Sequence, residues 1–244
     1  MQVLILGCGY VGTAFGSRLL AQGAFVQGTC RSQNSAAALR AKGISPIMFD
    51  GVACTTLIEA TKLADVILAS IPPTDKGDLS FNALADVLPD ADYKWIGYLS
   101  TTGVYGDRQG GWAFEDDKPT PASVVAKRRV DAERVWQAPP RAAHVFRLPG
   151  IYGPGRSALD QVRAGTARRI DKAGQVFSRA HRKDIVDALI ASVGKPNLGR
   201  IYNLCDDKPC ASGEVVVEAC RLLGVSVPPL TPFADASNSK PTTY

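Results

Sequence analysis

The chain has 244 residues and a formal net charge of +5, with 45% of its residues hydrophobic and 21% charged. That length can bury a full core, as one large domain or one domain with a small lobe, and the composition excludes a disordered or fibrous chain. The basic groups Arg128-Arg129, Arg168-Arg169 and His181-Arg182-Lys183 lie far apart and are not interleaved with aromatics, which argues against nucleic acid and favours anionic small molecules as partners.

The six cysteines (Cys8, Cys30, Cys54, Cys205, Cys210, Cys220) form no CxxC pair and no zinc spacing, so neither disulfides nor a metal site is expected. No apolar run approaches the ~18 residues of a membrane span. The chain opens directly on its first strand, leaving no stretch for a signal peptide, and the expectation is a soluble, reduced, cytoplasmic protein.

Val3-Leu4-Ile5-Leu6 is an unbroken apolar run, followed at once by Gly7-Cys8-Gly9-Tyr10-Val11-Gly12 and by an amphipathic stretch that Gly23 stops. Strand, glycine turn and helix in this order make the dinucleotide fingerprint. Gly7 allows the tight turn and Gly9 lets the backbone approach a pyrophosphate. Gly12 lets the helix pack on the strand, so that the helix's free N–H groups, at Tyr10 and Val11 among others, face the phosphates.

Further strands are expected at 24–30, 44–49, 66–69, 95–99, 144–148 and 200–204, with helices at 35–42, 55–62, 79–88, 183–193 and, capped by Ser212, to Leu223. Thr120-Pro121 reads as a helix start with Pro at the first helical position, and Pro139-Pro140 as its stop. The alternation predicts an α/β fold, a Rossmann-type doubly wound parallel sheet with a small C-terminal substrate lobe. Residues 1–150 with about 181–205 would form the NAD(P)-binding domain, and 151–180 with 206–244 the lobe over the carboxyl ends of the strands.

The second strand ends Thr29-Cys30-Arg31-Ser32, without the acid that holds a ribose 2′-hydroxyl in NAD-binding chains. Arg31 offers a planar fork of donors to a 2′-phosphate, so NADP is favoured over NAD, although a solvated Arg at a strand end reads the same way. Asp50 is placed either to touch the adenine amine or to form a turn with Gly51.

Four later stretches carry a resemblance. Leu99-Ser100-Thr101-Thr102-Gly103-Val104-Tyr105-Gly106-Asp107 is similar to "SSxxVYGD", and Arg147-Leu148-Pro149-Gly150-Ile151-Tyr152-Gly153-Pro154-Gly155-Arg156 to "RxxxIYGPGR". Ser178-Arg179-Ala180-His181-Arg182-Lys183-Asp184-Ile185 resembles "RxxHvdDia", and Ile201-Tyr202-Asn203-Leu204-Cys205-Asp206-Asp207 resembles "YNvaDd". These are motifs of the extended short-chain dehydrogenase/reductase family, in its NAD-dependent epimerase/dehydratase branch. The resemblance implies that Thr101 binds the substrate oxygen. It places Ser70, Ile71 and Pro72 beside the cofactor, and Pro149, Gly150 and Ile151 at the nicotinamide amide. Arg156, Arg179 and His181 would line the substrate side, with a structural role for His181 equally open. The family often pairs through the helices near 79–88 and 121–137, so a homodimer is in view, but the oligomer is not fixed by the sequence.

The family's catalytic Tyr-x-x-x-Lys is absent from the helix after the fifth strand, where the window reads Ser123-Val124-Val125-Ala126-Lys127. Four-residue spacing is expected to put Ser123 and Lys127 on one helix face aimed at the cofactor. Lys127 would hold the nicotinamide ribose, but a serine cannot replace a tuned phenol. Two readings follow. One is an atypical NAD(P)-dependent oxidoreductase, epimerase or dehydratase for a small hydroxyl- or carbonyl-bearing substrate, a nucleotide-sugar among them. The other is a non-catalytic NADP-binding sensor or partner-binding module. The tail beyond Pro228-Pro229 is shorter than the family's usual lobe, which implies a small or open pocket.

Overall fold

The computed structural model describes residues 1–138 and 142–234. In chain order the elements are β1 (Gln2–Leu6), α1 (Tyr10–Leu20), β2 (Phe25–Cys30), α2 (Gln33–Arg40), β3 (Ser45–Met48), α3 (Thr55–Leu63), β4 (Val66–Ala69), α4 (Leu79–Leu84), β5 (Trp95–Thr101) and α5 (Val124–Trp136). They continue with β6 (His144–Leu148), β7 (Gly150–Tyr152), α6 (Ala158–Arg163), β8 (Arg169–Asp171), β9 (Arg179–His181), α7 (Arg182–Gly194), β10 (Ile201–Asn203), α8 (Ser212–Leu223) and β11 (Leu230–Pro232). Among the described residues no helix is long and apolar enough to cross a membrane.

The chain divides into two compact units, the first made of residues 1–106, 113–148 and 182–204. It holds a seven-stranded parallel sheet in the order β10-β6-β5-β4-β1-β2-β3, a Rossmann-type α/β fold. Strands in the middle of such a sheet are covered on both faces and so are apolar throughout. Val66-Ile67-Leu68-Ala69 of β4 and all of β6 are buried accordingly. The chain starts in the middle at β1, runs outward to β3, then returns to the other side of β1 with β4. That reversal opens a crevice at the carboxyl ends of β1 and β4, the general ligand position of open α/β sheets. On one face α1 buries Val11, Phe15 and Leu19 at helical spacing. On the other, Leu4, Leu6, Ile67, Ile96 and Tyr98 form a core with Leu57 and Trp136.

The second unit comprises residues 107–112, 149–181 and 205–244, of which 235–244 lie outside the described residues. Its short strands pair in parallel as β7 with β9 and β8 with β11, and α6 and α8 pack on one another.

Two expected helix starts shift. α5 begins at Val124 rather than at Pro121, because the Ser123 hydroxyl oxygen accepts the Ala126 N–H at 3.1 Å and ends the non-helical approach. Thr120 upstream is tied to the 3₁₀ turn Thr102–Tyr105, its N–H to the Val104 carbonyl and its hydroxyl to that of Tyr105. Ser212 is the first residue of α8 instead of its cap, and Ala211 takes the cap position with no side-chain bond. Pro139 and Pro140, the expected stop of α5, lie outside the described residues.

A buried ion pair joins three elements of the first unit. Arg147 on β6 meets Glu133 on α5 through Nη2–Oε2 at 2.8 Å and Nε–Oε1 at 3.1 Å. The Ser100 hydroxyl on β5 donates to the same carboxylate. Arg147 Nη1 donates to the Tyr105 hydroxyl at 2.7 Å, and that hydroxyl donates to Asn203 Oδ1 at 2.8 Å. His144 at the start of β6 is equally buried. Its Nδ1 lies 2.9 Å from the Ile96 carbonyl and must donate to it, while Nε2 accepts the Asn197 N–H at 2.8 Å. The ring is therefore neutral, and it stacks on Trp95 at 5.5 Å.

Two stability predictions follow. Removing one member of a buried pair strands the other charge, so Arg147→Met should cost about 3–5 kcal/mol in urea unfolding, with much of the loss recovered in the Arg147→Met/Glu133→Leu double variant. Equal losses in the single and double variants would count against this account. For His144, burial holds the pKa below the ordinary imidazole value, against a smaller opposing effect of the Ile96 hydrogen bond. A lowered folded pKa gives stability that is present above the unfolded value of about 6.5 and lost as pH falls through the folded one. Unfolding free energy should decline below about pH 6.5, and His144→Leu, less stable at neutral pH, should flatten that decline.

Candidate nucleotide site and the end of the fifth strand

The glycine turn sits where β1 ends at the switch of strand order. Gly7 has φ +89°, a left-handed conformation that favours glycine, and a Cβ there would meet Ile71 Cγ1 at 2.7 Å and Ser70 Oγ at 3.1 Å. Its N–H donates to Thr29 Oγ1 at 2.7 Å, and its carbonyl accepts the Ser70 hydroxyl at 2.6 Å. Ser70 and Ile71 are thus brought onto the turn, and Pro72 follows them, exposed. At Gly12 a Cβ would lie 2.9 Å from Ile5 Cγ2 and 3.0 Å from the Gly7 carbonyl, so glycine lets α1 lie on β1. Gly9 differs from both. It is the cap residue of α1 with no side-chain bond, and nothing stands within 4 Å of where its Cβ would be. The concave outer face of the turn is open, with no acid in the first turn of α1. That shape and polarity fit a pyrophosphate. Cys8 belongs to the packing of the turn: burial pushes its thiol up to about 11, so it stays protonated at neutral pH.

Arg31 follows directly on β2 and is exposed. Asp50 Oδ1 accepts the Val52 N–H at 3.3 Å, which gives that carboxylate a turn-forming bond.

At the end of β5, Thr101 Oγ1 accepts the Gly103 N–H at 3.1 Å, which orients the hydroxyl and leaves its proton to donate. Of the pair expected on one helix face toward the cofactor, Ser123 precedes α5 and Lys127 lies within it. Ser123 stands outside the helix as its cap. Arg129 is the α5 cation that reaches β5, with Nη1 donating to the Leu99 carbonyl at 3.0 Å and to the Tyr98 hydroxyl at 2.9 Å. Lys127, two residues earlier, is about 200° away around the helix and is exposed. On the face that looks to β5, the residue four before the cation is Val125, 66% exposed and without any phenol. Arg129 was missed because which face of α5 meets β5 is settled by tertiary packing. The sequence signal was its place in Arg128-Arg129.

Two tyrosines of the motifs are Tyr105 and Tyr152. Tyr105 is buried with its hydroxyl bonded to Arg147 and Asn203. Tyr152 belongs to the second unit, where its ring meets His181 edge-on at 5.1 Å.

Pro149, Gly150, Ile151, Arg156, Arg179 and His181 all fall in the second unit. Gly150, Ile151 and Tyr152 pair with Arg179, Ala180 and His181, so two of the motifs form adjacent strands. Arg179 Nη1 donates to the Phe177 carbonyl at 2.9 Å and the Cys210 carbonyl at 3.2 Å, which engages part of its guanidinium in holding loops. Arg156 closes a turn with Gly153 and is exposed. Among the described residues no group of three or more His, Cys, Asp or Glu is placed to hold a metal ion.

The family model described as "NADP oxidoreductase coenzyme F420-dependent" matches residues 2–89, the stretch from β1 through α4. Protein YeeZ of Escherichia coli (strain K12) is 26% identical over 98% of this chain and 90% of its own. A conserved protein of unknown function from Silicibacter pomeroyi is 39% identical, covering 97% of this chain and 83% of that one with a TM-score of 0.89. The dTDP-glucose 4,6-dehydratase of Bacillus anthracis, solved in complex with NAD, is 17% identical over 96% of this chain and 86% of that one, with a TM-score of 0.78. The chain belongs to one family with the Silicibacter pomeroyi protein, and it shares its Rossmann-type α/β fold with the dTDP-glucose 4,6-dehydratase.

Proposed function

We propose that this protein is an NADP-dependent oxidoreductase of the epimerase/dehydratase type, acting on a small hydroxyl- or carbonyl-bearing substrate in the reducing cytoplasm. The observation that carries the reading is the glycine turn, open at Gly9 and closed by packing at Gly7 and Gly12, at the carboxyl end of β1. Gly7, Gly9, Tyr10, Val11 and Gly12 would hold the pyrophosphate, with Ser70 and Ile71 forming the wall of the turn. Arg31, with no acid beside it, would take the 2′-phosphate. The bound nicotinamide would supply or accept a hydride. Thr101 would donate its free hydroxyl proton in a hydrogen bond to the substrate oxygen. Arg129 would hold the end of β5 that carries Thr101, in place of the role expected for Lys127.

The structure places no phenol four residues before Arg129, and this favours a second reading, a cofactor-binding sensor with little turnover. The two separate on one observation: whether bound NADPH is oxidised when aldehydes, ketones and sugar nucleotides are supplied.

For the cofactor, NADPH should bind at least tenfold more tightly than NADH, since a charge-assisted hydrogen bond contributes about 1.5–3 kcal/mol, and Arg31→Ala should erase most of the difference. Gly9→Ala, which meets nothing in the protein itself, should keep its unfolding transition and lose nucleotide binding. Equal affinities for the two nucleotides would remove the argument from Arg31. For the chemistry, Thr101→Ala should abolish turnover of any substrate found. Ser123→Ala should keep turnover and lose about 0.5–2 kcal/mol of stability, as a cap does. A large fall in kcat with unchanged stability in Ser123→Ala would restore it as a catalytic group.

A further inference from the structure

We propose that Arg182 is a pyrophosphate-binding residue of this nucleotide site, held in place by stacking on Tyr10; the inference rests on the cofactor reading above. Arg182 is the first residue of α7 and Tyr10 the first of α1, two helices that pack against each other in the first unit. The Arg182 guanidinium carbon lies 4.3 Å from the centroid of the Tyr10 ring. Where the resembled motif has an apolar residue after its His, this chain has a cation, so the interaction is a feature of this sequence.

Stacking engages the face of a guanidinium and leaves its rim of N–H donors available. Arg182 has no ion pair or side-chain hydrogen bond with another described residue, and it is only half-buried. Lys183 pairs with Asp187 along α7 at 2.5 Å, Asp184 stands in the first turn of α7, and the first turn of α1 carries no acid. The ring that holds Arg182 belongs to the residue next to Gly9, whose outer side is open. A dianionic pyrophosphate seated on the first N–H groups of α1 would therefore meet a planar cation whose orientation is already fixed. Bidentate contact of that kind is the strong mode of phosphate recognition. Pre-stacking lowers the ordering cost of a long side chain on binding. Tyr10 acquires a role in this arrangement beyond its place in the fingerprint: it is the platform that aims the cation.

The test uses the full chain and titrates NADPH, NADH and adenosine 2′-monophosphate, the last of which has the 2′-phosphate but no pyrophosphate. Arg182→Gln should weaken NADPH and NADH by the same factor, roughly tenfold to a hundredfold, and leave adenosine 2′-monophosphate unchanged. Arg31→Ala should do the opposite, weakening NADPH and the monophosphate while sparing NADH. Tyr10→Leu should reproduce much of the Arg182→Gln loss, and the double variant should add little, because both remove one device. Arg182→Gln within twofold of the unmodified protein for both dinucleotides overturns the inference and leaves the cofactor reading intact. An equal loss for the monophosphate also overturns it, since the contact would then be at the adenosine end. An unmodified protein that binds neither dinucleotide overturns the cofactor reading and this inference with it.

Discussion

The Arg147–Glu133 pair is the constraint on which the first unit's chemistry depends. It is buried at both ends, with side-chain exposures of 2% and 5%, so the two charges neutralise one another and buried neighbours supply their remaining hydrogen bonds. Its partners are spread over α5, β5, β6 and the 3₁₀ turn, with Asn203 on β10 reached through Tyr105. A buried network that is fully bonded admits one geometry, because any displacement leaves a charge or hydroxyl without a partner in a region of low dielectric. Thr101 stands at the end of the strand this network fixes, one residue beyond Ser100. Arg129 adds a second tie between α5 and the same strand end. The hydroxyl is therefore held by a rigid frame.

The same frame accounts for the state of two tyrosines, Tyr105 of the strand-end motif and Tyr98 on β5. A phenol serves as an acid only if its proton can leave toward substrate. Tyr105 has its hydroxyl committed at both ends, and its ring lies under the Arg147 guanidinium at 4.7 Å. Tyr98 is buried, and desolvation chiefly raises its pKa well above the phenol range despite the Arg129 bond. Neither is suited to proton transfer at neutral pH. With Val125 on the face where a phenol would be useful, the Thr101 hydroxyl is the polar group that the first unit's own strand end presents.

The nucleotide end of the site is ordered by packing. Gly12 is required by the contact of α1 with Ile5 and the Gly7 carbonyl, and Gly7 by its left-handed backbone and by Ile71. Gly9 is required by neither, since nothing stands within 4 Å of where its Cβ would be, which separates it from the two that serve the fold. Asp50 fits the same logic: its carboxylate holds a turn through Val52, which is sufficient reason for its presence.

The sequence by itself determined the α/β alternation, the glycine turn and the strands of the parallel sheet, because apolar periodicity and glycine position are local properties. Val66 to Ala69 and His144 to Leu148 appear as strands where the residues alone place them. It also determined Thr101 as the strand-end hydroxyl and Arg31 as the cation after β2. Only the tertiary structure decided which face of α5 meets β5. Which residues of α5 meet the strand is settled by how the helix packs, and its start is set by a 3.1 Å cap at Ser123 and by bonds from Thr120 to a turn 15 residues away in sequence. That packing makes Arg129, rather than Lys127, the α5 cation bonded to β5. The stacking of Arg182 on Tyr10 was hidden for the same physical reason: the two residues are far apart in the chain, and only the packing of α7 on α1 brings their side chains together.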